Sequence, residues 1–315
     1  MRIHLFIAMA CLAIAPSAGA GAEPDKTIAI TFDDLPMLSA VPSSMSDIAD
    51  ANQRLLRVLR ERRVPAIGFV NEDKLQRPGE VDAGIAVLDG WLTAGMELGN
   101  HNYGHLGLWT ASLQEVEDAV VRGDVVTRRL ATSHHVPLHY YRPPYTQTGH
   151  DDVEKRAFEA FLGAHGYVIA PFTVEHDDYI YGCVFDHATE SEQRTAIIRD
   201  YLTHLDVALA TFESMSQQLF GRQIPQVLLV HVTRLNAESI SSTLDRLVLH
   251  GYRFISLEEA LQDPAYQTAD GPSKQFGPSW LARWAHATHT KLSAYGQPDP
   301  DDGTSRLAIK LCAND

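Results

Sequence analysis

Short apolar runs alternate with longer stretches of helical periodicity along most of the chain. Strands are predicted at Ile28–Thr31, Ala66–Val70, Met96–Gly99, Tyr140–Tyr141, Tyr167–Ala170, Val227–Val230 and Tyr252–Ile255, about seven in all. Helices are predicted over Ser46–Arg62, Val81–Ala94, Leu113–Thr132, Asp151–His165, Glu190–Phe220 and Ala237–Leu249. Ser112 and Glu115 have capping-box spacing where the third helix should begin. Such alternation implies an α/β chain with a largely parallel sheet, either closed toward a barrel or open and doubly wound. Both arrangements gather chemistry at the C-terminal ends of their strands. A dinucleotide fold is disfavoured, because no Gly-x-Gly-x-x-Gly follows the first strand.

Polar residues fall where that architecture would use them. Asp33 and Asp34 follow the first apolar run, His101 the third, Arg142 the fourth and His231 the sixth. Two adjacent acids at a buried strand end need a metal, a cation or hydrogen-bond donors to compensate them, and they suggest two jobs, one ligand and one base. His101 and His105 are four apart, as for two imidazoles on one face of a helical turn. With Asp34 they form a His-His-Asp set that leaves coordination positions open, the catalytic rather than structural pattern for zinc.

Two further runs carry candidate chemistry. In Arg142-Pro143-Pro144-Tyr145 the first backbone N–H after Arg142 is that of Tyr145, and a stiff loop presenting one donor suits an oxyanion hole. Arg142 could instead hold a buried Asp ionised. His231, emerging from an apolar strand, is placed to protonate a departing amine. The acidic run Glu175-His176-Asp177-Asp178-Tyr179 offers a carboxylate to orient it, with Asp177 counted among the catalytic candidates and Asp178 the alternative.

The N-terminus changes the picture of where the chain works. Arg2, an apolar run from Leu5 to Ala15 and small residues at 18–22 read as a signal peptide over residues 1–22, giving an exported protein, periplasmic or extracellular. No later segment has transmembrane length. The remaining roughly 290 residues suit one large domain, expected at 23–262, with a helical tail at 263–315. A net charge of −14 lacks the basic footprint of a nucleic-acid binder. Cys183 and Cys312 could pair in an oxidising compartment or stay free. Trp280 and Trp284 have helical spacing and read as packing aromatics, and the His134/His135/His139 and His286/His289 clusters as surface residues.

Taken together, these residues resemble the polysaccharide deacetylases, the NodB-homology group within carbohydrate esterase family four. Thr31-Phe32-Asp33-Asp34, His101 to His105, Arg142-Pro143-Pro144-Tyr145 and Leu228-Leu229-Val230-His231 match its motifs in order, over roughly residues 25 to 262. The resemblance implies a distorted (β/α) barrel with a divalent metal, commonly Zn2+, on Asp34, His101 and His105. It further implies Asp33 as general base, Arg142 holding Asp33, the Tyr145 N–H on the oxyanion, His231 as general acid and an acetylated glycan as substrate. Asn102 and Leu106 stand where the family commonly has Ser and Pro, and the acid-plus-Trp motif is reduced to Asp177-Asp178-Tyr179. The expected reaction is removal of N-acetyl groups from amino sugars. An O-acetyl esterase, a non-sugar amide hydrolase or a non-catalytic envelope protein that binds carbohydrate are the competing readings.

Overall fold

Ten consecutive residues, Lys26–Leu35, form the central strand β1, and from Thr27 onward every one of them is buried. The computed structural model describes residues 26–312, and the leader predicted at 1–22 lies outside them. After β1 come α1 (Met45–Glu61), β2 (Ala66–Val70), α2 (Val81–Thr93), β3 (Glu97–Asn100), α3 (Leu113–Arg122), α4 (Val125–Ser133) and β4 (Tyr140–Tyr141). The second half adds α5 (Asp152–Ala164), β5 (Val168–Ile169), α6 (Asp178–His187), α7 (Ser191–Phe220), β6 (Gln226–His231), α8 (Arg234–Leu249) and β7 (Tyr252–Phe254). Three helices close the chain: α9 (Leu257–Leu261), α10 (Trp280–Ala287) and α11 (Asp302–Cys312).

The sheet has strand order β5-β4-β3-β2-β1-β6, with β7 on the start of β1, and every ladder between these strands is parallel. It forms a half-barrel, the distorted (β/α) barrel expected. Buried on both sides, strands β1, β2 and β6 read as near-continuous apolar runs rather than alternating ones. Helix α1 shows how the outer layer attaches: Ser44 and Asp47 form a capping box, and Ile48, Ala51, Leu55, Leu56 and Leu59 make the buried stripe. Asn52 lies in that stripe, donating to the Pro36 carbonyl at 2.9 Å and accepting from Trp91 Nε1 at 2.8 Å, so the chain leaving β1 is pinned beside the future site. Trp280 and Trp284 are 5% and 1% exposed and belong to the core, as their spacing suggested.

The helix expected over Leu113–Thr132 is two helices, broken at Gly123-Asp124. The reason is a neighbour: a Cβ on Gly123 would lie 2.6 Å from the Asn102 carbonyl carbon and 2.7 Å from the Tyr103 nitrogen. The loop after β3 therefore sits against the break, tied by Tyr103 N–H to the Ala119 carbonyl at 2.9 Å. Buried Glu72 receives the Val126 and Thr127 N–H groups and so caps the restart at α4.

Cys183 in α6 and Cys312 in α11 are joined in a disulfide spanning 129 residues of sequence. Closing so long a loop restricts the unfolded chain, and disulfides of this kind typically contribute about 2–4 kcal/mol. The variant Cys312→Ser is accordingly expected to lower unfolding free energy by that amount in denaturant melts. Identical melts for variant and parent would show the bond contributes nothing.

Candidate active site

Strand β1 runs further than its apolar residues suggest, carrying Asp33 and Asp34 inside its last turn of pairing, with Asp33 in register with His231 of β6. Neighbouring strand residues normally face opposite ways. Asp34 departs from that rule by adopting φ 66°, a left-handed conformation uncommon outside glycine, and both carboxylates come to the same rim. They are 3% and 6% exposed.

Their partners differ. Asp33 Oδ1 accepts from Arg142 Nη1 at 2.9 Å. The guanidinium is itself fully buried, with its other donors on Thr31 Oγ1 at 2.6 Å and the Ala170 and Pro171 carbonyls at 3.2 Å, and it lies 4.4 Å from the Phe69 ring centroid. Every arginine contact thus fixes one carboxylate. Asp34 Oδ1 is buried without a hydrogen bond; Lys74 Nζ lies 3.2 Å away but off the bonding direction, donating instead to the Asp34 carbonyl. His105 Nε2 and His101 Nε2 approach the same oxygen to 3.7 and 3.9 Å.

The two histidines do not share a helical turn. Residues 101–105 form a loop in which Asn102 (φ 57°), Gly104 and His105 (φ 51°) are all left-handed. Asn102 closes it from within: its side chain donates to the Leu106 carbonyl at 2.8 Å and accepts the Leu106 N–H at 3.0 Å. Asn71 donates to the His101 carbonyl at 2.7 Å. Asn102 and Leu106, the two departures from the family's pattern, are therefore the clasp of the loop. Its effect is to stack the imidazoles edge to face with centroids 5.0 Å apart.

This donor set fits a divalent metal. Ligand atoms of Asp34, His101 and His105 lie within 4.8 Å of one another, and the Asp34 oxygen is an orphaned buried acceptor. His101 donates Nδ1–H to the Arg142 carbonyl at 2.7 Å, which leaves the Nε2 lone pair for a ligand bond. Burial resists the Asp34 charge, but Lys74, His105 and His101 outweigh it and hold the carboxyl well below the usual range. Burial also lowers both imidazoles, His105 to about 4, which favours the neutral form that ligation requires.

The loop after β4 continues the rim. Tyr145 (φ 52°) and Thr146 (φ 55°) are consecutive left-handed residues, each such position storing about 1–3 kcal/mol of strain. The Tyr145 ring packs on the metal candidate His105 with centroids 4.5 Å apart, and the residue is 45% exposed. Tyr179 stands with its ring centroid 6.1 Å from that of His231 and is half exposed.

The carboxylate on His231 is Asp178, which corrects the choice of Asp177. Asp178 Oδ1 meets His231 Nδ1 at 2.9 Å, and Oδ2 accepts the His231 backbone N–H and Asn236 Nδ2, both at 2.7 Å. Asp177, left-handed ahead of α6, turns the other way to His204 (3.1 Å) and Gln297 (3.0 Å). The register follows from α6, unforeseen because Tyr179-Ile180-Tyr181-Gly182 has no clear helical stripe. Asn236, which also donates to the His231 carbonyl at 2.8 Å, was missed as well, although its place three residues after Thr233, whose side chain caps α8, was a legible signal. Burial works to lower the His231 pKa, and Asp178 overrides it, raising it to about 9.

Residues 20–161 match the family model for polysaccharide deacetylases, which bears out the resemblance and takes in Asp33, Asp34, His101, His105, Arg142 and Tyr145. No curated protein is significantly similar in sequence. Among solved structures, a mutant of a CE4 family pseudoenzyme with restored enzymatic activity is 18% identical with TM-score 0.51, over 76% of this chain and 69% of its own. The wild-type pseudoenzyme from Bacillus anthracis is 17% identical with TM-score 0.50, over 76% and 66%. A family 4 carbohydrate esterase from Streptomyces lividans in complex with acetate is 20% identical with TM-score 0.47, over 75% and 96%. At these identities the likeness to the two pseudoenzyme structures speaks for the fold.

Proposed function

We propose that this relative of the polysaccharide deacetylases is a metal-dependent hydrolase that removes N-acetyl groups from the amino sugars of a glycan, releasing acetate. The observation that carries the proposal is the division of the two acids: Asp33 is bonded to Arg142 and of the two histidines has only His101 nearby, Nε2 to Oδ2 4.0 Å, while Asp34 faces both. Retention of base, ligands and acid together supports activity in a fold that also occurs as a pseudoenzyme. A divalent metal, zinc by the one-carboxylate, two-imidazole chemistry, would be held by Asp34, His101 and His105 and would supply Lewis-acid polarisation and a lowered water pKa.

The chain's own residues do the rest. Asp33, held ionised by Arg142, accepts the proton of the attacking water. The Tyr145 N–H donates to the oxygen of the acetamide carbonyl as negative charge develops there, a contact typically worth about 2.7–4 kcal/mol. His231, protonated at neutral pH through Asp178, gives its Nε2 proton to the nitrogen as the C–N bond breaks. Tyr145 and Tyr179 flank the opening on which a sugar ring would rest.

The deciding experiment is acetate release from N-acetylated chito-oligosaccharides, abolished by chelation and restored by zinc. Activity that survives complete metal removal would sink the proposal. A pH profile tests the acid separately. Because the working form of His231 is protonated, kcat/KM should fall as pH rises through its pKa, and Asp178→Asn should move that limb to lower pH. Bound cation lowers the limb in both proteins alike and leaves the sign of the difference unchanged; coincident limbs would remove Asp178 from the role.

The exported location belongs to the same proposal, periplasmic or extracellular, and the Cys183–Cys312 disulfide supports it, since such bonds persist in oxidising compartments. No helix among the described residues is long and apolar enough to cross a membrane. We assign the catalytic domain to 23–262, with 263–315 as an extension whose Trp280, Leu281 and Trp284 pack into that domain's own core.

A further inference from the structure

We infer that the C-terminal segment Ser273–Arg283, outside the matched part of the chain, is a working part of the active site: it sets the position of the Tyr145 N–H, with Arg283 as the positioning residue. The inference rests on the role proposed for that N–H. Tyr145 and Thr146 hold consecutive left-handed conformations, and strain of this kind persists only where the surroundings over-determine it. Beyond the His105 ring on Tyr145 and the Thr146 N–H bond to the Pro143 carbonyl, what surrounds them is this segment.

Its contacts fall on the strained residues themselves. Gly277 N–H donates to the Tyr145 carbonyl at 3.1 Å, and Thr146 Oγ1 donates to the Gly277 carbonyl at 2.8 Å. Arg283, 4% exposed, donates through Nη2 to the Thr146 carbonyl, through Nη1 to Thr148 Oγ1 at 3.2 Å and through Nε to the Pro278 carbonyl at 3.0 Å. The guanidinium therefore bridges the loop to its own segment, and its plane lies 3.9 Å from the Trp280 ring centroid. Buried Gln147 extends the clamp, donating to the Gln275 carbonyl at 2.5 Å and accepting the Trp109 N–H at 2.9 Å. A side chain at position 277 would overlap both the guanidinium and Thr146. The glycine is a close-approach residue between segment and loop.

A buried arginine with three backbone or hydroxyl acceptors and no carboxylate bonded to it is an unusual device for stability alone. Its fork geometry fixes two points of the loop at once, which a single ammonium cannot do. Arg283→Lys keeps the charge and loses the fork. Thr146→Val is isosteric and deletes the hydroxyl's bonds to the Gly277 carbonyl at 2.8 Å and the Tyr145 carbonyl at 2.7 Å.

The experiment compares both variants with the parent as full-length, zinc-loaded protein. Arg283→Lys should lower kcat on N-acetylated chito-oligosaccharide by about 10–100-fold, the scale of a misplaced catalytic contact, and Thr146→Val should lower it less. KM and zinc affinity by calorimetric titration should stay within about twofold. Amide hydrogen exchange at 145–147 in the metal-free protein should accelerate about tenfold, a readout that stands even if the parent releases no acetate and the proposed activity fails. Unchanged exchange at those amides in both variants would overturn the inference, as would a loss of kcat that follows zinc affinity.

Discussion

Asp33→Asn is expected to lose turnover by about 10²–10⁴-fold, the range assigned to a positioned general base, while still binding zinc. Asparagine keeps an acceptor for Arg142 Nη1 but cannot take a proton, and Asp33 is not among the residues gathered around the Asp34 oxygen. The same substitution leaves a fully buried guanidinium without its counter-charge. Removing one partner of such a pair outright costs about 3–5 kcal/mol, and the retained hydrogen bond should keep this variant at or below the lower end. Rates at saturating zinc and denaturant melts check both parts. A variant within tenfold of the parent kcat would take the base role from Asp33.

Asp34→Ala should fail one step earlier. Only two imidazoles would remain at the metal position, and zinc affinity should fall by more than the roughly 10–100-fold typical of losing an outer-shell partner. Calorimetric titration measures this directly, and acetate release should disappear at zinc concentrations that saturate the parent. Excess zinc should restore Asp34→Ala in part but Asp33→Asn not at all, and that contrast separates ligand from base. Equal zinc affinity in parent and Asp34→Ala would dismantle the metal site.

The division of the acids was legible in the chain because strand ends are recognisable and the partners of Asp33 and Asp34 lie at other strand ends. All seven strands fall where apolar runs predicted them. The illegible parts share one cause, that their conformation depends on contacts rather than on local pattern. Helix α6 has no amphipathic stripe, so its register, and with it the choice of Asp178 over Asp177, could not be read. The break between α3 and α4 comes from a loop pressed against Gly123. The spacing of His101 and His105 was informative for a reason other than the one supposed, since a clasped loop, not a helix, brings them together. The clamp on Tyr145 comes from a tail that carries no motif.

The parts of this site occur along the chain in the order in which they would be used in building it. Asp33, Asp34, His101 and His105 all precede residue 106; Arg142 and Tyr145 follow; the acid and its supports, Asp178, His231 and Asn236, come after them; and Gly277 and Arg283 come last. During synthesis the metal position can therefore be complete in residues while the proton donor is still untranslated and the strained loop unsupported. A chain stopped before residue 270 would carry every recognisable motif and lack the segment that holds one of them in place.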